Sequence, residues 1–256
     1  MKRFNLVILA DHVIGYRIAK FLSHRPDANI LKIYTNEPRQ ESWWTPLSNY
    51  EGLSAVCAYY RTNEQLYEEI KSLPIDLILA LSWKHYLTPR LLSLPMVGNV
   101  NLHYSLLPKH RGVYPVNWAI IQGERETGVT LHWMDEKFDA GDIIAQRTVE
   151  LNPWDTSFDL LQRLDEAALP LFSQLWEQVA EWKQLAKRQS GSASYHSREQ
   201  FHALDELDLE AEMKIGDLIN LLRGKSFPPA EKQIFFRDRT TGSKIFVSIE
   251  LRPERL

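Results

Sequence analysis

The sequence predicts an α/β protein with a mixed, mostly parallel sheet, followed by a small C-terminal α+β appendage. Three observations predict it. Apolar runs rich in branched residues alternate with helix-spaced segments through the first part of the chain. Two later runs alternate in polarity around a glycine-containing loop, as hairpin strands do. A Ser/Gly/Ala connector, RQSGSASYHS at 188–197, then sets off a short tail. Continuous apolar runs suit strands buried on both faces, as parallel strands are, whereas alternation suits antiparallel ones.

FNLVILA (4–10) reads as a first central strand. Residues 13–23 place Val13, Ile14, Ile18, Phe21 and Leu22 at helical spacing, and NILKIYT (29–35) completes a βαβ unit. The intervening turn, ADHVIG, has neither GxGxxG nor GxxxxGK[ST], so it is no standard dinucleotide or phosphate cradle. Residues 36–52, with two prolines and two tryptophans, read as an ordered surface loop. A helix over 63–72 starts at an Asn63 N-cap. DLILALS (76–82) is a third buried strand, and TPRLLSLP (88–95) a short helix with Thr88 as cap and Pro89 at its first position. VGNVNLHYS (97–105) is the fourth strand. PVNWAIIQG (115–123) is a helix opened by Pro115 and closed by Gly123. TGVTLHWMD (127–135) and DIIAQRTVEL (142–151) form the hairpin around EKFDAGD. Residues 156–188 are helical, with Pro170 a kink or break. In the tail, a helix at 212–223 precedes the strands QIFFRD and KIFVSIEL, joined at RTTG (239–242). Two domains are expected, 1–189 and 190–256.

The bulk properties exclude several classes. The chain has 256 residues, a net charge of −3 and 25% charged residues. Nucleic-acid binding usually shows as a basic domain, so no nucleic-acid partner is expected. The single cysteine, Cys57, allows neither an intrachain disulfide nor a cysteine metal cluster and fits a reducing compartment. The apolar run after MKRFNLVILADH's basic start breaks at Asp11, short of the roughly 7–15 residues of a signal-peptide core. No apolar segment approaches the roughly 18 residues that span a bilayer. A cytoplasmic protein without a membrane partner is expected.

The chemistry concentrates in NVNLHYSLLPKHRG (99–112). Side chains alternate faces along a strand, so Asn101, His103 and Ser105 would share one face at its end. Ligands of open α/β sheets bind at the carboxyl ends of strands. His103 is a group that titrates near neutral pH. Asp139, in the glycine-flanked loop, can reach back to fix the imidazole tautomer and raise its pKa. An Asn101 amide can donate to an oxyanion, a contact worth about 3 kcal/mol of barrier. These three parts suit acyl transfer without a covalent enzyme intermediate. A metal reading would gather His103, His110, His132 and Asp139, but no spacing among them matches HExxH, and no metal is expected.

NLHYSLLPKHRG, PVNWAIIQGERETGVTLHWMD and FDAGDIIAQ together resemble the folate-dependent formyltransferase family. The likeness covers roughly residues 74–165. Asn-x-His, SLLP, RG, TGVT and D-x-GDI occur in order, with Asp139 38 residues after Asn101. The resemblance implies a Rossmann-like formyltransferase fold and 10-formyltetrahydrofolate as co-substrate, with Asn101, His103 and Asp139 as the catalytic residues. It implies that backbone groups of His85, Tyr86 and Leu87 and of Asp135, Glu136, Lys137 and Phe138 hold the cofactor, with Leu106, Leu107 and Pro108 beside it. Within the family the chain is most similar to the sugar N-formyltransferases, as in the formyltransferase domain of the UDP-aminoarabinose pathway. That likeness implies a nucleotide-linked amino sugar as acceptor, a role in lipopolysaccharide-type synthesis, and Lys84 as a point charge on the nucleotide diphosphate. Many relatives are homodimers. Methionyl-tRNA formyltransferase is the alternative, but the short tail is acidic at LDELDLEAE (204–212), which is wrong for a phosphate backbone. A non-catalytic, folate-binding relative is the third reading. Val113 stands where aminoarabinose-type relatives often carry Arg, which argues against that particular sugar.

Overall fold

The computed structural model describes residues 2–37, 53–227 and 234–254. The loop expected at 36–52 therefore lies almost wholly outside the described residues. Five parallel strands lead into an antiparallel pair. The parallel set is β1 (Phe4–Ala10), β2 (Ala28–Thr35), β3 (Cys57–Tyr59), β4 (Leu77–Leu81) and β5 (Gly98–His103). The hairpin strands are β7 (Glu126–Trp133) and β8 (Ile143–Glu150). They form one seven-stranded sheet in the order β3-β2-β1-β4-β5-β7-β8. The mixed, mostly parallel sheet is thus as the sequence predicts.

The period-two rule explains the unbroken apolar strands. In β1, Leu6, Ile8 and Ala10 pack into one core while Val7 and Leu9 pack into a second on the other face. The first core is closed by α1 (His12–Ser23) and α5 (Ser157–Trp176) through Ile14, Ile18, Leu160, Leu164 and Phe172. The second is closed by α2 (Asn63–Ile70) and α3 (Pro89–Leu92) through Leu66, Ile70 and Leu91. A strand covered on both faces has no polar side, hence no alternation. Helix α4 (Pro115–Ile121) lies against α8 (Ile215–Gly224) of the tail, where Asn117 Nδ2 donates to the Gly224 carbonyl at 2.8 Å. The tail ends in an antiparallel pair, β10 (Ile234–Arg237) and β11 (Lys244–Val247).

Three differences from the sequence reading have physical causes. Helix α5 continues unbroken through Pro170 and ends at Trp176. Pro170 and Glu166 face solvent, so water can satisfy the carbonyl that the proline leaves without a donor. The break falls after Trp176 because the chain doubles back through α6 (Trp182–Leu185). Trp182 packs at 5.8 Å from Trp176 and donates its Nε1 to the Leu175 carbonyl at 2.9 Å. Second, N-capping of α2 comes from Thr62, whose hydroxyl accepts from Gln65 N–H, rather than from Asn63. Third, two two-residue strands, β6 (Arg111–Gly112) and β9 (Tyr195–His196), pair in parallel. They are too short to leave a periodic signal.

One buried ionisable pair ties the sheet to α5. Tyr104, just past β5, donates its hydroxyl to Asp165. Burial pushes the Asp165 carboxyl up to about 6, helped by Glu166 and opposed by the Tyr104 hydroxyl and Arg17. A carboxyl raised above its unfolded value of about 3.9 favours the folded state below that pH and loses this as pH rises through 6. The shift corresponds to at most about 3 kcal/mol. Asp165→Asn, which keeps an acceptor for Tyr104, is therefore expected to raise the melting temperature at pH 8. The gain should vanish near pH 4 in a pH series of thermal melts.

Candidate active site

A cavity of about 400 Å³ opens at the carboxyl ends of β1, β4 and β5. It is lined by His12 after β1, residues 82–87 after β4, Asn101 and His103 on β5, residues 112–115, His132 and the loop after β7, and Tyr195 and Arg198 of the connector and tail. This is where an open α/β sheet presents its loops to a ligand. The described non-glycine residues with positive φ are His12, Ser82, His110, Tyr114 and Asp139, at 51° to 62°. Four of the five line the cavity, and the fifth supports it, as described below. A left-handed residue of this kind costs about 1–3 kcal/mol, so their confinement to one place marks a site whose surroundings impose the conformation.

Asn101, His103 and Asp139 meet there. Asn101 Nδ2 donates to Asp139 Oδ1 at 3.2 Å, and Asp139 Oδ2 lies 3.6 Å from His103 Nδ1. The Gly112 N–H donates to Asp139 Oδ2 at 2.9 Å. Burial pushes the Asp139 carboxyl up, but the neighbouring imidazoles of His103 and His132 and the Gly112 N–H outweigh it and hold it well below the usual carboxylate range. His103 is buried, which lowers its pKa, and Asp139 works against that. The net effect keeps the ring neutral, the form that can accept a proton. Its tautomer is fixed from outside the cavity: Nε2 lies 2.8 Å from the His110 carbonyl, which can only accept, so Nε2 carries the proton and Nδ1 faces the carboxylate.

The His110 carbonyl is aimed by its left-handed backbone (φ 55°) and held by the connector. Its N–H donates to Ser194 Oγ at 2.7 Å, and its ring stacks on His196, which stacks on Trp118 at 4.2 Å. Gln189 clamps the two site loops together. Its Nε2 donates to the Asp139 and Gly141 carbonyls at 2.7 and 2.8 Å, while its Oε1 accepts from Arg111. The sequence reading names His110 and His132 only within the rejected metal set, and Gln189, Ser194 and His196 not at all as site residues. The available signal was the register of the β5–β7 pair, which sets His132 opposite Asn101.

The other sequence-predicted residues divide. Lys84, His85, Tyr86, Leu87, Asp135, Lys137 and Phe138 all line the cavity. Glu136 is exposed and does not. Leu106, Leu107 and Pro108 stand apart from it, and so does Ser105. Strand β5 ends at His103, and the chain turns behind the strand end as Ser105 Oγ donates to the Lys109 carbonyl at 2.6 Å. Thr130 and Gln146 then fasten the segment to β7 and β8 through the Ser105 and Leu107 carbonyls. The alternate-face reading fails at Ser105 because the strand does not extend that far. Asn101 Nδ2 also lies 3.1 Å from His132 Nε2, which is itself 3.5 Å from Asp139 Oδ1.

Gly112 is where the site is tightest. Its φ is +91°, and a Cβ would sit 2.3 Å from the His196 carbonyl oxygen. Gly112→Ala must displace β6 or β9 and with it the N–H that holds Asp139. A shift of about 1 Å can cost on the order of a hundredfold in rate. We expect that scale of loss in kcat/KM together with a lowered melting temperature, read by initial rates and thermal melts.

Residues 22–175 match the formyl transferase family model. The chain belongs to that family. Residues 200–253 of this formyltransferase match the model described as an N-formyltransferase dimerization C-terminal domain. Among solved structures, a 4-N formyltransferase from Francisella tularensis is 22% identical at a TM-score of 0.82, covering 98% of this chain and 99% of that one. A sugar N-formyltransferase from Shewanella is 21% identical at 0.78, covering 98% and 99%. An N-formyltransferase from Helicobacter canadensis in complex with folinic acid and dTDP-3-aminofucose is 21% identical at 0.66, covering 86% and 80%. At such identities the likeness speaks for the fold, which runs through both the sheet and the tail.

Proposed function

We propose that this formyltransferase moves a formyl group from 10-formyltetrahydrofolate to the primary amine of a nucleotide-linked amino sugar. The observation that carries the reading is the convergence of Asn101, His103 and Asp139 in one cavity of a formyl transferase family chain. The solved relatives bound to folinic acid and to dTDP-3-aminofucose support the two substrate classes.

The cavity fits the folate. Its volume lies within the roughly 300–1,000 Å³ of small-molecule sites. Tyr86 and Phe138, 5.2 Å apart and partly exposed, offer flat apolar surface at its wall, and Leu87 lies behind them. The folate supplies a formyl carbon open to attack. The protein's part is to handle the proton. His103 Nδ1 takes it from the attacking amine and returns it to the folate nitrogen as that nitrogen's bond to the formyl carbon breaks, and Asp139 stabilises the imidazolium in between. Lys84 and Arg198, both at the cavity wall, supply positive charge for a diphosphate. Val113 leaves the wall beside them uncharged.

In this reading residues 1–189 carry the chemistry and 190–256 form the pairing unit of a homodimer. Exposed Ile245 and Phe246 on β11 suit a covered face. No helix among the described residues is long and apolar enough to cross a membrane, and we assign the reaction to the cytoplasm.

An absorbance assay for tetrahydrofolate release tests the reading. It uses 10-formyltetrahydrofolate with a panel of UDP- and dTDP-linked amino sugars, and charged initiator tRNA alongside. Turnover with a sugar is the expected result. Turnover with tRNA alone, or bound folate with no turnover on any amine, overturns it.

A further inference from the structure

Asp11 occupies the N-cap position of α1, yet its side chain does not cap the helix. An aspartate at that position ordinarily accepts from the first backbone N–H groups of the helix. The Asp11 carboxylate, 2% exposed, is instead turned across to the end of the neighbouring strand β2. Its Oδ1 accepts from the Thr35 hydroxyl at 2.8 Å and from the Asn36 N–H at 2.9 Å. Its Oδ2 accepts from Asn36 Nδ2. Three donors converge on a group that has no hydrogen to return.

This sets the Asn36 amide. Its nitrogen faces the carboxylate, so its oxygen faces away, and that oxygen lies 2.5 Å from His85 Nε2. An amide oxygen only accepts, so the His85 ring donates from Nε2. Burial lowers the pKa of this ring, Lys84 and Arg198 add to that, and Asp11 opposes them. The ring is thus neutral, and its one proton is committed to Asn36.

The relay reaches the cavity from behind. The order β2-β1-β4 puts Asp11 between the end of β2 and the segment after β4. Neither Asp11 nor Asn36 lines the cavity, whereas every residue of 82–87 does. A second arm holds the next residue of that wall. The Tyr60 ring packs 4.3 Å from the His85 ring, its hydroxyl donates to Asn63 Oδ1 at 3.2 Å, and Asn63 Nδ2 donates to the Tyr86 carbonyl at 2.8 Å. A binding wall made of loop keeps its geometry only where such supports lock it to the sheet.

We propose that Asp11 is a positioning residue for the folate: through Asn36 it holds His85, and with it the 82–87 segment, in the shape that receives the cofactor. The role toward folate rests on the formyl-transfer reading above; the relay itself does not.

Two variants and one signal decide this. Asn36→Leu keeps the bulk of the side chain and removes both polar atoms. Isothermal titration with folinic acid should show a Kd weakened about tenfold or more, and the loss in turnover should fall on the folate KM rather than on kcat. Asp11→Asn restores the chain of hydrogen bonds in reverse. Thr35 and the Asn36 N–H keep the new amide oxygen in place of Oδ1, so the new nitrogen meets the Asn36 side chain. That amide turns over, and His85 Nε2 then accepts. Folinic acid should bind within about threefold of wild type, while the ring proton of His85 moves from Nε2 to Nδ1. The tautomer is read from the ring 15N shifts of histidine-labelled protein at neutral pH, the signal being assigned by its loss in His85→Gln.

A wild-type His85 ring protonated on Nδ1 overturns the relay, whether or not folate binds. Wild-type folate affinity in Asn36→Leu overturns the proposal. So does an equal loss of affinity in Asn36→Leu and Asp11→Asn at wild-type melting temperature. If Asn36→Leu does not fold, Asp11→Asn decides: a His85 proton that stays on Nε2, or a tenfold loss of folate affinity, overturns the proposal. A wild-type protein that binds no folinic acid overturns the folate reading and this role together, and the His85 tautomer then still reports on the relay.

Discussion

His103→Asn is expected to lower kcat by a hundredfold or more while leaving the melting temperature within a few degrees of wild type. The scale is that of a group that transfers a proton in the rate-limiting step, about 10²–10⁴-fold. The fold should survive because Asn is smaller than His and polar, so it enters the same space without a steric clash. Steady-state rates with saturating folate and a thermal melt of the same preparation check both halves. Activity within a few-fold of wild type would remove His103 from the mechanism.

Asp139→Asn is expected to lower kcat by about tenfold or more and to move the acidic limb of the kcat/KM profile to lower pH. The sign follows from the charges. His103 must be neutral to accept a proton, so the rate falls as pH drops through its pKa. Burial already lowers that pKa, and the Asp139 carboxylate raises it. Without the carboxylate the ring protonates only at lower pH, and the base is also weaker. Asp139 itself is held well below the usual carboxylate range, so it stays ionised across the neutral region and does not set the limb. A limb that stays in place or moves to higher pH would show that His103 is not the group titrating.

The difference between what was readable in the sequence and what was not lies in the range of the interactions. Strands β1 and β4 announce themselves because burial on both faces demands apolar residues along their length. Asn101 and His103 stand out against that background for the same reason. Asp139 is legible because its loop is flanked by glycine and the hairpin strands around it alternate. The support for these groups is not legible. Gln189, Ser194 and His196 act through backbone carbonyls and N–H groups of two loops 48 to 84 positions away in the chain, and no local pattern records such contacts. SLLP follows the strand directly, but Thr130 and Gln146 hold it away from the cavity. The end of α5 misleads because proline is a helix breaker only where its lost hydrogen bond is not replaced, and Pro170 faces water.

The parallel pairing of β6 with β9 bears on how this protein can be recombined with its relatives. Ser194 and His196 hold the carbonyl behind His103, and Tyr195 and Arg198 form part of the cavity wall. A chimera joined at residue 190, where composition suggests a natural seam, would import another protein's scaffolding behind the base. The tail is not an interchangeable cassette from its first residue. A breakpoint after His202, the last residue of the short helix Arg198–His202, keeps the native wall and exchanges only what lies beyond it.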